Sequence, residues 1–114
     1  MTDLRHRPAT LAVELLGHGA AFVVVGSTAR WLVTDEGSPR DLDIVVDPQD
    51  VPRLVRALAA LGVRSSARAL SGAGQSHVDT SWGPLDVFVD GLPSAHGVVF
   101  ERASGATVVQ VVAA

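Results

Sequence analysis

Three aspartates set in apolar runs are the residues of this sequence best suited to chemistry. Asp41 and Asp43 bracket Leu42 in Arg40-Asp41-Leu42-Asp43-Ile44, and Asp86 interrupts Pro84-Leu85-Asp86-Val87-Phe88-Val89. A buried, unpaired carboxylate is costly or takes up a proton, so stability alone gives no reason to set three of them beside a core. Converging carboxylates hold a divalent cation, and Mg²⁺, which demands hard oxygen ligands and tolerates substrate phosphates, suits them best. Gly26-Ser27 supplies the complementary half. Glycine lets the backbone turn and approach a ligand, and Ser27 opens a helix whose free N–H groups favour an anion. A triphosphate can then bridge the turn and the metal.

These residues need particular elements to position them. Ala21 to Val25 is a continuous apolar run closed by Gly26, read as a buried strand. Ser27 is expected to cap a helix over Thr28 to Thr34, with Trp31 in the core, before a turn-rich Asp35-Glu36-Gly37-Ser38-Pro39. Leu42 to Val46 reads as the second strand. Residues two apart on a strand share a face, so Asp41 and Asp43 point together while Leu42 and Ile44 point into the core. The same alternation puts Asp86, Phe88 and Asp90 on one face of the later strand and Leu85, Val87 and Val89 on the other. If the two strands are neighbours, Asp86 converges on Asp41 and Asp43.

Around this frame, residues 8–18 read as a short helix. Asp47-Pro48-Gln49-Asp50 supplies an N-cap, a proline at N1 and an acid at N3 for a helix carrying Val51, Leu54, Val55, Leu58 and Leu61, stopped by Gly62. Val63 to Leu70 and Ser76 to Trp82 read as two strands joined by a loose linker. A Gly/Pro/Ser/His loop at 91–97 leads to a terminal hairpin of Val98 to Arg102 and Thr107 to Val112 around Ser104-Gly105. Asp79 reads as part of a solvated face and Asp90 as a strand-end residue. His77, alone on its strand, is assigned no role, and His6, His18 and His96 lack metal-ligand spacing.

Composition bounds the classes. A chain of 114 residues that is 47% hydrophobic makes one domain with a real core. It has no cysteine, which excludes disulfides and thiolate metal sites and suits a reducing cytoplasm. All nine basic residues are arginine, scattered along the chain, and the net charge of −3 argues against general nucleic-acid affinity. No run of eighteen apolar residues suggests a membrane span, and no apolar segment after the charged N-terminus suggests a signal peptide.

Taken together, Gly26-Ser27, Arg40-Asp41-Leu42-Asp43-Ile44 and Leu85-Asp86-Val87 resemble the polymerase-β-like nucleotidyltransferase superfamily, in its minimal nucleotidyltransferase branch. The resemblance spans roughly residues 21–90. It implies an α/β (α+β) domain with a mixed, twisted sheet of about five strands flanked by helices, and transfer of a nucleoside monophosphate from a nucleoside triphosphate, ATP above all. By the same resemblance Asp41 and Asp43 bind Mg²⁺, Asp86 is the third acid, and Gly26 and Ser27 contact the phosphates. Relatives often place a lysine near the triphosphate; this chain has none, so Arg30 or Arg40 stands in for it, or the rest of a longer protein or a partner completes the site. Arg40 reads equally as an ion-pair partner of Asp41. Small relatives include antitoxins that modify a hydroxyl of a ribonuclease toxin, and others act on antibiotics or tRNA; by this resemblance a cognate toxin is the acceptor that best fits the small size and acidic charge. The alternative is a non-catalytic nucleotide-sensing or partner-binding module that keeps the fold.

Overall fold

A computed structural model of the chain describes residues 6–37, 39–72, 75–89, 97–103 and 106–112. The expected strand Phe22–Val25 (β1) runs into helix α2 (Gly26–Thr34), and Leu42–Val46 forms β2. Ahead of them lies α1 (His6–Gly17); after them come α3 (Val51–Ala60), α4 (Ala67–Gly72), β3 (Gln75–Thr80), β4 (Gly83–Val89), β5 (Gly97–Ala103) and β6 (Ala106–Val112). The class is α+β, as expected. Among the described residues the mixed sheet has six strands where about five were expected, in the order β3-β4-β2-β1-β5-β6. Among these strands β2 and β4 pair in parallel and the other neighbouring pairs are antiparallel. The terminal hairpin is present, with β5 also pairing to β1.

Alternation decides what each strand face does. Leu42, Ile44 and Val46 of β2 and Leu85 and Val87 of β4 are fully buried. They join Leu11, Leu15 and Leu16 of α1, Val51, Leu54 and Leu58 of α3, and Leu70 of α4 in a single apolar cluster. Burying one such side chain stabilises a fold by about 1.5–3 kcal/mol, so this face carries most of the stability. The residues between them, Asp43 and Asp86, belong to the opposite face.

Three local expectations are corrected. Val63 to Leu70 is not a strand: after Gly62 the chain runs irregularly to Ser66, whose hydroxyl accepts a hydrogen bond from the Ala69 amide at 3.1 Å and so starts α4. Alanine, arginine and leucine are good helix formers, and with that cap they outweigh the apolar alternation. Ser27 is not an N-cap. The helix begins two residues earlier, at Gly26, with extended Val25 at the cap position making no side-chain cap bond, so Ser27 lies inside the first turn. Asp47 does cap, accepting from the Gln49 amide at 3.0 Å, but it caps a 3₁₀ turn over Pro48–Asp50 that precedes α3. Asp90, His96, Ser104 and Gly105, and most of the expected 91–97 loop, lie outside the described residues.

Candidate functional site

The parallel ladder between β2 and β4 sets Asp43 directly beside Asp86. Paired residues of adjacent strands share a face, so both carboxylates leave the sheet on the side away from the helices. The protonated form of Asp43 is favoured by its neighbour Asp86, which can accept a hydrogen bond from it. Burial, that bond and the charge of Asp86, with a contribution from the Asp41 charge, raise the Asp43 pKa from the ordinary 3.8 to about 6. Two carboxylates that disfavour each other's charge form a site where a cation relieves the repulsion as a proton would.

Gly26 closes this pair from the β1 side. Val25 pairs with Asp43 across β1 and β2, which brings the next residue against the acid. The φ of Gly26 is 71°, and a Cβ built there would lie 2.6 Å from Asp43 Oδ2. Any side chain would therefore be strained in its backbone and would displace the carboxylate. The start of α2, with the backbone amides of its first turn free of helical partners, thus abuts the acid pair. Thr28, fully buried in that turn, donates its hydroxyl to the Asp41 carbonyl at 2.6 Å and pins the helix to the entry of β2.

Asp41 is placed less tightly than its spacing suggests. It lies just before β2 rather than within it, half-buried, and acts on Asp43 through charge. Among the described residues no three histidine, aspartate or glutamate side chains are spaced to hold a metal ion. The expected convergence of three acids is therefore a contacting pair, Asp43 and Asp86, with Asp41 at electrostatic range. A pair is compatible with Mg²⁺, which commonly takes one or two carboxylates and completes its shell with water and substrate phosphate. Of the two arginines, Arg30 makes an exposed ion pair with Glu36 at 3.3 Å, and Arg40 is exposed, with its carbonyl oxygen against Gly83.

His77, which sequence spacing gives no role, belongs to the site. It pairs with Asp86 across the β3–β4 hairpin, its Nδ1 lying 3.0 Å from Asp86 Oδ1 and its Nε2 3.0 Å from Asp79 Oδ1. These two bonds, the one to Asp86 foremost, raise the imidazole's pKa above its ordinary value. A signal for it existed in the sequence. The hairpin turns at Ser81-Trp82, and counting outward from the Thr80–Gly83 pair brings His77 opposite Asp86. Thr28 left no comparable trace, because its partner is a backbone carbonyl thirteen positions away.

The strand order thus lays out one row along the sheet: the Gly26-Ser27 turn after β1, Asp43 on β2, Asp86 on β4 and His77 on β3. No family model matches this sequence, and neither a curated protein nor a solved structure matches it.

Proposed function

We propose that this domain is a nucleotidyltransferase of the polymerase-β-like type, which moves a nucleoside monophosphate from a nucleoside triphosphate, ATP in the first place, to an acceptor hydroxyl. One observation carries the reading: a side-chain-free turn at a helix N-terminus touches a carboxylate that the next strand pairs with a second carboxylate. Phosphates favour the first feature and divalent cations the second, and a Mg²⁺–triphosphate complex needs both within reach. Asp43 and Asp86, with Asp41 nearby, are the residues that would hold Mg²⁺, which when bound neutralises phosphate charge and stabilises the charge developing in the transition state. Gly26, Ser27 and the first-turn amides of α2 receive the terminal phosphates. Arg30 and Arg40 are the cations of this chain offered to them, Arg30 after release from Glu36.

The acceptor oxygen attacks the α-phosphorus, forming an O–P bond as the bond to the bridging oxygen breaks and pyrophosphate leaves. In this reading Asp86, which contacts His77 on the β3 side, would take the hydroxyl proton. A cognate toxin as acceptor and a cytoplasmic setting are part of this reading. Among the described residues no helix is long and apolar enough to cross a membrane.

Calorimetric titration with ATP, with and without Mg²⁺, together with a pyrophosphate assay tests it. Mg²⁺-dependent binding that Asp43→Asn and Asp41→Asn abolish without unfolding the protein is the expected result. Affinity unchanged in Asp43→Asn would remove that residue from the site and the reading with it. The raised pKa of Asp43 and the absence of a three-ligand group among the described residues favour a second reading, a non-catalytic nucleotide- or partner-binding module. Metal-independent binding without pyrophosphate release would select it.

A further inference from the structure

The row of site residues does not end at His77. Beyond it lies a cavity of about 820 Å³, one wall of which is the unbroken stretch from Ser76 to Ser81. Successive residues of a strand face opposite ways, so a cavity touched by five strand residues in a row, Ser76 to Thr80, lies along the strand's edge and not on either face. β3 is the outermost strand on this side of the sheet, and no strand among the described residues pairs with its outer edge. The opposing wall is formed by the segment from Leu61 to Ser65, with Ala69 and Leu70 of α4. The Ser76 hydroxyl donates to the Ala69 carbonyl at 3.2 Å and ties α4 to the strand at one end of the slot.

The lining matches an extended chain. Leu61, Val63, Leu70 and Val78 give it apolar contacts, while the strand edge offers main-chain donors and acceptors spaced for another strand. The Ser65 hydroxyl oxygen lines the same slot, buried and without a hydrogen-bond partner, an unmet polar group that a guest can satisfy. His77 belongs both to the slot and to the acid row, because it lines the one and contacts Asp86 in the other.

We propose that this slot receives an extended polypeptide segment that adds to the edge of β3 as a further strand. Resting on the nucleotidyltransferase reading, that segment carries the acceptor hydroxyl, a serine, threonine or tyrosine delivered past His77 to Asp86. The phosphate turn and the acceptor then lie at opposite ends of the row with the acid pair between them, the order an in-line displacement requires.

The test uses a panel of fluorescent ten-residue peptides, each with one serine, threonine or tyrosine between valines and charged ends for solubility. At least one peptide should bind, amide exchange within Gln75–Thr80 should slow on binding, and Ala69→Trp should weaken the peptide tenfold or more. Ala69 is exposed on α4 and away from the acids, so this variant should leave the Mg²⁺–ATP titration unchanged. The expected covalent outcome is label from ATP on the peptide hydroxyl, lost in Ala69→Trp. If no peptide binds, or if exchange in β3 is unaffected by one that does, the slot is not a strand-docking site. Peptide binding of the expected kind without any Mg²⁺-dependent ATP binding would uphold the slot and sink the transferase reading alone.

Discussion

The two faces of the β2–β4 ribbon are built from the same two strands and do opposite work. One face presents Leu42, Ile44, Leu85 and Val87, all fully buried under the helices. The other presents Asp43 and Asp86, paired in register and open toward His77. Position by position, stability and chemistry alternate along single strands. A substitution's effect should therefore depend on the parity of its position more than on which strand carries it.

The largest effect should come from the covered face. Ile44→Ala removes a fully buried side chain and should cost about 2–5 kcal/mol. The check is a lowered urea midpoint with an unchanged slope. If its loss is no larger than that of a surface variant, the stability assignment of this face is wrong. Thr28→Val is intermediate, since it keeps shape but removes the donor to the Asp41 carbonyl; about 1–3 kcal/mol should be lost. It should also weaken Mg²⁺–ATP binding, because the entry to β2 is no longer held against α2.

The open face should respond with the opposite sign. The folded Asp43 carboxyl keeps its proton up to about 6, whereas its ordinary value is 3.8. Between those values the native state holds a proton that the unfolded chain has lost, so stability falls as pH rises through this window and stays lower above it. Asp43→Asn has no such dependence. It should be more stable than the parent at pH 8 by about 1 kcal/mol, allowing for solvent screening, and show no gain near pH 4. Melting curves at the two pH values decide it. A stability gain coupled to loss of ligand binding is the mark of a residue kept for function. Added Mg²⁺ should raise the parent's melting temperature more at pH 8 than at pH 5, since the proton and the cation compete for one pair of oxygens.

Much of this arrangement could be read from the chain alone, and the misses share a cause. β1, β2 and β4, the terminal hairpin and the helix containing Val51 to Leu58 follow from local periodicity, as does the side on which Asp43 and Asp86 emerge. Val63 to Leu70 misled because apolar alternation over a few residues also fits a short capped helix, and only the Ser66–Ala69 bond distinguishes them. His77 was overlooked because a histidine gains meaning from its neighbour across the hairpin, not from its neighbours in sequence.

What the sequence determined by itself was the alternation, which side chains leave each strand together, and that a glycine stands where β1 passes into a helix. The tertiary structure alone decided that β2 and β4 lie side by side in parallel register, that Gly26 meets Asp43, that Asp41 stays at the margin, and that the β3 edge faces a slot. The reason is the range of the interactions. Strand faces follow from the geometry of successive residues, whereas strand order and register are chosen by contacts between segments far apart in the chain.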